Sequence, residues 1–224
     1  MSKLLRTGML SGSTIKIIAM AAMLIDHIAL CIPYIWKYQD VYMIMRNIGR
    51  IAFPVFCFCI IEGYYHTSDV RKYIFRLFIF AVISEIPFDL AVGFGKIIWF
   101  NHQNVFFTLC IGLCMVYMVD NEATAPVMKL AAIGAACLIA YGLRTDYSIF
   151  GIIQILLFYI FRNFRAGRII SIAALNVFYG QPAGAFSLVF TELYNGKRGI
   201  GVKYLMYAFY PFQFMLLYLI RKYI

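Results

Sequence analysis

Residues 15–35 read IKIIAMAAMLIDHIALCIPYI, an apolar run broken by Lys16 near its start and by Asp26 and His27 well inside it. A hydrocarbon core of about 30 Å is crossed by roughly 20 apolar residues in a helix, so this run has the length of a transmembrane span. No clear small-residue cleavage site follows it, and it reads as a retained first helix rather than a cleaved signal peptide. A charge at the bilayer centre costs about 2.5–3.5 kcal/mol even on insertion scales, so Asp26 and His27 have to face protein or water rather than lipid.

The rest of the chain extends this reading. It has 224 residues, of which 63% are hydrophobic and only 13% charged, and its mean hydropathy is +0.81. Soluble domains are about 45–50% apolar and about 25% charged, and a chain this apolar cannot cover its surface with polar groups. Further apolar segments span 42–65, 73–93, 98–119, 125–143, 147–161, 169–190 and 203–220. The segment at 169–190 contains Gly180, Gln181 and Pro182, a break that makes it one kinked helix or two short ones. The expected fold is an all-α polytopic transmembrane bundle of eight or nine helices, with residues 1–224 as a single integral membrane domain.

Charge distribution orients the bundle. Lys3, Arg6 and Lys16 precede or open the first segment, Arg71, Lys72 and Arg76 follow the second, and Arg162, Arg165 and Arg168 lie between the sixth and seventh. Alternating spans put all of these on one side, so that side and the N-terminus are expected in the cytoplasm. Lys197, Arg198 and Lys203 join that side only if the seventh segment is split at Pro182, which sends Arg221 and Lys222 across. The net charge of +10 belongs to these loops and to anionic lipid headgroups, not to nucleic acid.

The ionisable residues at depth form three groups. Lys16 and His27 are 11 residues apart, almost three full turns, so both project from one helix face about 16 Å apart along the axis. Histidine is the common general base near neutral pH. Asp26 points about 100° away from His27 and is free to pair with another helix. Arg46 and Arg50 are i,i+4 and present two guanidiniums on one face, suited to a phosphate or carboxylate, or to interhelical pairing with Glu85, Asp89 or Asp26. Pro54 is expected to kink that helix, and Glu62 to sit at its wetted far end. Glu85 and Asp89 are also i,i+4, with Pro87 between them, and hold the arginines or serve as acid or base. Asn104 and Asp146 complete the polar positions: Asp146, before Tyr147 and Ser148, reads as a helix N-cap. His102 and Arg144 read as solvated interfacial residues.

The six cysteines all lie in apolar stretches without zinc spacing and read as packing residues, and no metal site is expected. Phosphate-loop, dinucleotide-binding and metalloprotease motifs do not occur.

The strings MLIDHIAL (23–30), RNIGRIAFPVFCFCIIEGYYHT (46–67), SEIPFDL (84–90), QNVFFTL (103–109), DYSIFG (146–151) and LYNGKRG (193–199), in this order, resemble the TraX family. The founding activity of that family is acetylation of a pilin N-terminus in conjugative plasmids, and it is distantly similar to transmembrane acyltransferases that use cytoplasmic acetyl-CoA. Those relatives carry a cation, ten residues and a histidine in the first helix, and Lys16 and His27 match this with lysine in place of arginine. Where the family often shows FYPLHL, this chain has FYPFQF (209–214), so Gln213 stands in the histidine's place. The resemblance implies acetyl-CoA as donor and a protein or envelope molecule as acceptor. It implies His27 as general base tuned by Asp26, Lys16 on the CoA phosphates, and Arg46 and Arg50 on an anionic part of donor or acceptor. The buried charges alone are equally compatible with a transporter or channel, or with a non-catalytic assembly protein pinned by ion pairs.

Overall fold

A computed structural model describes residues 8–201 and 203–223. Lys3 and Arg6, two of the cations used for orientation, lie outside the described residues. The described residues are helical, with only two isolated bridges and no strand. The α-helical segments are α1 (Gly12–Cys31), α2 (Gln39–Gly49), α3 (Ala52–His66), α4 (Val70–Val92), α5 (Val105–Asp120), α6 (Pro126–Gly142), α7 (Ser148–Ile160), α8 (Arg165–Phe178), α9 (Ser187–Glu192) and α10 (Lys203–Tyr223).

Local chemistry sets where these helices begin. The Ser11 hydroxyl accepts from Thr14 N at 3.3 Å, Asp69 from Lys72 N at 3.0 Å and Asn104 from Phe106 N at 3.0 Å, each satisfying an otherwise free first-turn N–H. Pro126 opens α6, where its missing N–H costs nothing. The Asn104 cap shortens the fourth apolar segment: residues 93–104 form a loop whose Ile97, Ile98 and Phe100 are apolar yet exposed, so hydrophobicity overstated the helix by seven residues at its start. Pro54 lies in the first turn of α3, so it initiates a helix after a break at Arg50–Ile51 instead of kinking a continuous one.

Two clusters of contacts define the ends of the bundle. At one end Gly12 N donates to Lys197 O (2.8 Å), Tyr64 and Tyr159 both donate to Asp120, and Arg168 donates to Glu192. At the other, Gln103 N donates to Arg144 O (3.0 Å), Tyr179 stacks on Phe150, and Arg221 donates to Ala91 O. The chain passes between these ends along α1, α2–α3, α4, α5, α6, α7 and α8. It turns at Gly180 (φ +74°), returns through a 3₁₀ turn (Pro182–Phe186) and α9, and leaves along α10. The seventh apolar segment is thus two elements. Lys197 and Arg198 join the amino-terminal end with Arg162, Arg165 and Arg168, while Arg221 stands at the opposite end over the Phe94 ring.

Glycines set the closest helix crossings. A Cβ on Gly112 would collide with Ile155, one on Gly151 with Thr108 and one on Gly49 with the Asp26 side chain. Helix α10 lies against α4 and α1, which brings the FYPFQF stretch next to His27. Among the described residues, two stretches are long and apolar enough to cross a membrane, Gly12–Cys31 and the nearly continuous Gln39–His66. The outer surface is rich in large apolar side chains, among them Val127 (75% exposed), Leu130 (70%) and Leu138 (71%) on α6.

Candidate functional site

Two cavities enter the bundle. One, of about 490 Å³, lies at the amino-terminal end and is lined by Lys16, Glu62, His66, Arg76 and Arg198. The other, of about 670 Å³, lies at the opposite end and is lined by Asp26, His27, Arg46, Arg50, Arg144 and Asp146. Met23, Phe56, Val105 and Tyr210 line both. Lys16 and His27 share a face of α1, but three turns separate them and each opens into a different cavity. The face that Lys16 and His27 share is therefore divided between two chambers with four lining residues in common.

His27 is at the bottom of the second cavity. Its ring lies 4.3 Å from that of Phe214 and meets Tyr210 edge-on at 5.9 Å, and its Nδ1 is buried with no hydrogen-bond partner among the described residues. Gln213, buried on α10, neighbours it, so the departure from the family motif falls inside the site. Tyr210 is anchored by Val105 N, which donates to its phenol oxygen at 3.4 Å.

Asp26 pairs with Arg46 at 2.8 Å across α1 and α2, with both side chains mostly buried. Its second oxygen is buried without a hydrogen-bond partner among the described residues. Arg46 is thereby committed, while Arg50 has no carboxylate within ion-pair distance among the described residues and faces the Tyr147 hydroxyl. Glu85 and Asp89 do not hold the arginines. Glu85 accepts from the backbone and side-chain amides of Asn104, and Asp89 accepts from Trp99 N at 2.7 Å. They tie the 93–104 loop to α4, their i,i+4 spacing placing both on the helix face next to that loop. Asn104 in turn donates to Ala81 O at 2.8 Å, so it joins α4 to α5 and is a structural residue.

Glu62 is not a wetted terminus. It is buried and receives Arg162 Nε at 3.0 Å, with that guanidinium 4.0 Å from the Tyr65 ring. Asp146 does not cap α7. Tyr147 occupies the N-cap position with φ +60°, and Asp146 instead accepts from Tyr147 N and meets His102 Nε2 at 3.4 Å. His102, on the loop between α4 and α5, has its pKa raised, first by the hydrogen bond to Asp146 and against the opposing effect of burial. Arg144 (φ +54°), Tyr147 and Ser148 (φ +40°) all adopt left-handed backbone. Such non-glycine residues cost on the order of 1–3 kcal/mol each and cluster where function requires them. Here Gln103 braces the turn, donating to Arg144 O and accepting from Asp146 N.

Arg76, Arg198, His102, Tyr147 and Tyr210 join the site without having been marked in the sequence. Tyr210 carried a signal, since it belongs to the FYPFQF stretch; the two arginines and His102 had only the ordinary look of interfacial residues.

A family model described as TraX protein matches residues 11–221. The chain is 28% identical over 236 residues to the Probable fimbrial assembly protein FimC, serogroup H1, of Dichelobacter nodosus, covering 92% of this chain and 94% of that one. It is 33% identical over 111 residues to an uncharacterized protein of Rickettsia prowazekii (strain Madrid E), covering 50% of this chain and 38% of that one. No solved structure matches. With the family model covering nearly the whole chain and all six quoted strings on one bundle, the chain belongs to the TraX family.

Proposed function

We propose that this protein is a multi-pass membrane acetyltransferase that moves an acetyl group from cytoplasmic acetyl-CoA to an acceptor amine or hydroxyl that enters from the opposite end. The single observation that carries this reading is the meeting of two cavities from opposite ends at Met23, Phe56, Val105 and Tyr210, beside His27. The apolar exterior supports nine passes through a bilayer, and the crowding of cations at the amino-terminal end supports placing that end in the cytoplasm of a bacterial cell.

The first cavity suits the donor. Lys16, Arg76 and Arg198 supply three cations for the phosphates of CoA, and Met20, Met23, Leu77 and Leu109 give an apolar lining for the pantetheine arm. The second cavity suits the acceptor, with Arg50 left free of carboxylate partners to hold an anionic part of it. In the transfer, the acceptor nitrogen or oxygen forms its bond to the thioester carbonyl carbon while His27 takes the acceptor's proton. The carbon–sulfur bond then breaks, and protonated His27 gives its proton to the departing sulfur, so CoA leaves as the thiol and His27 is regenerated. Tyr210, whose oxygen already accepts from Val105 N, keeps its own O–H to donate to the carbonyl oxygen as negative charge develops. The Asp26–Arg46 pair orients the helix turn that carries His27.

The Dichelobacter relative is named for fimbrial assembly and matches this chain along almost its whole length, which supports a subunit of a surface fibre as the acceptor. The test is transfer of labelled acetyl from acetyl-CoA to peptides with a free α-amine by purified protein. His27→Ala is expected to lose about 10²-fold or more, the usual share of a general base. Full activity in that variant overturns the mechanism. The same two-chamber arrangement also suits a transporter, and flux into proteoliposomes without acetyl transfer is the result that favours it.

A further inference from the structure

Beside the imidazole that the transfer uses lies an amide that it does not. His27 lines the second cavity. Of its two ring nitrogens only Nδ1 is both buried and without a hydrogen-bond partner among the described residues, which leaves Nε2 to meet what the cavity admits. Gln213 on α10 is 2% exposed, and neither the oxygen nor the nitrogen of its amide has a partner among the described residues. Tyr210, Gln213 and Phe214 stand at i, i+3 and i+4, so they share one face of α10. Tyr210 and Phe214 pack on the imidazole, with ring centroids at 5.9 and 4.3 Å, and Gln213 lies beside it. Buried polar atoms are nearly always paired, so orphaned ones side by side on two packed helices call for an explanation. The terminal torsion of a glutamine side chain is soft, and turning the amide toward Nδ1 satisfies both groups at once.

We infer that Gln213 is a positioning residue whose amide oxygen accepts a hydrogen bond from Nδ1–H of His27 and so keeps the lone pair of the imidazole on Nε2. The inference rests on the reading of His27 as general base. A neutral imidazole carries one proton and takes a second only at its bare nitrogen. A bare Nδ1 faces sealed protein, where no acceptor proton arrives; a bare Nε2 serves the cavity. The two ends of the amide act in opposite directions. Its oxygen accepts from Nδ1–H and selects the useful tautomer, whereas its NH₂ group donates to a bare Nδ1 and leaves the proton on Nε2. The neighbouring groups do not replace it. Asp26 points about 100° away along α1 and is paired with Arg46 at 2.8 Å. The Tyr210 oxygen already accepts from Val105 N.

The chain has three histidines, so nitrogen NMR of full-length protein with isotope-labelled histidine resolves each ring, and His27→Ala identifies the signals of residue 27. At about pH 8, above the ordinary histidine range, wild type is expected to show a protonated Nδ1 and a bare Nε2. Gln213→Met keeps the length of the side chain without the amide. It is expected to mix the two tautomers and to lower kcat for acetyl transfer by about 10-fold, part of the 10²–10⁴-fold share of a general base, with KM for acetyl-CoA unchanged. Gln213→Glu keeps an accepting oxygen and is expected to hold the wild-type tautomer and most of the rate. A bare Nδ1 in wild type, a wild-type tautomer that persists in Gln213→Met, or one that Gln213→Glu abolishes overturns the positioning role. Any of these alongside acetyl transfer by wild type leaves the transferase reading standing. Absence of transfer by wild type, with the tautomer as expected, overturns the transferase reading and with it the role of the bond in catalysis.

Discussion

Replacing Gly49 by alanine places a methyl group within the space of the Asp26 Cβ and carboxyl group, because α2 crosses α1 closest at this point. A backbone-borne methyl cannot rotate away, so Asp26 has to move, and with it the 2.8 Å pair to Arg46. Breaking one partner of a buried pair costs about 3–5 kcal/mol. The side chains of Arg46 and Asp26 are 17% and 12% exposed and border a cavity, so the low end, about 3 kcal/mol, applies. Alanine in place of glycine in a helix returns about 1 kcal/mol. The net loss is about 2 kcal/mol, which for a chain of this size lowers Tm by roughly 4–8 °C. A fluorogenic thiol dye reads this transition, since Cys31, Cys57, Cys59 and Cys110 are free and buried and become reactive on unfolding. The decisive comparison is the same substitution in an Asp26→Gly background, where both the Cβ and the carboxyl that the methyl would meet are gone and the added shift falls within about 0.5 kcal/mol. An unchanged Tm in Gly49→Ala, or an equal drop in both backgrounds, refutes the close-approach argument.

Tyr210→Phe removes the hydroxyl that Val105 N holds and is expected to lower acetyl transfer by about 10²-fold or more with only a small change in Tm; transfer at the wild-type rate removes Tyr210 from the mechanism. Arg168 binds Glu192 through Nε (2.8 Å) and Nη2 (2.9 Å), so Arg168→Met is expected to lower stability by about 3 kcal/mol, and Arg168→Lys to recover little of it, in the same thiol-dye melt. The raised pKa of His102 makes its pairing with Asp146 stabilising below the ordinary histidine value of about 6.5 and progressively lost as pH rises through the higher folded value. Wild type is therefore expected to melt higher at pH 6 than at pH 8 relative to His102→Gln, and parallel pH profiles for the two proteins count against the pairing. His27→Ala, as above, tests the base itself.

Much of the helical layout was legible one segment at a time. Helices announce themselves by apolar runs, and their starts by short-range caps such as Ser11 to Thr14 and Asp69 to Lys72, interactions spanning three residues. The apolar loop at 93–104 misled because hydrophobicity reports a preference for avoiding water, not for being helical, and a loop lying against an apolar surface meets it equally well. Glu62 was misjudged because its partner Arg162 lies 100 residues away in the chain.

The sequence alone determined that the protein is helical and apolar, that Lys16 and His27 share one face of α1, and, through six ordered strings, that it resembles the TraX family. Only the tertiary structure decided which charges are spent and which are free. Arg46 is committed to Asp26 and Arg50 is not, although the two are i,i+4 neighbours with identical chemistry. It also decided that the face shared by Lys16 and His27 is divided between two chambers. The physical reason is that helical periodicity assigns each side chain a direction within its own helix, whereas partners and cavities depend on which other helix occupies that direction. That assignment is made by close approaches such as Gly49 on Asp26, between residues with no regular spacing in the chain.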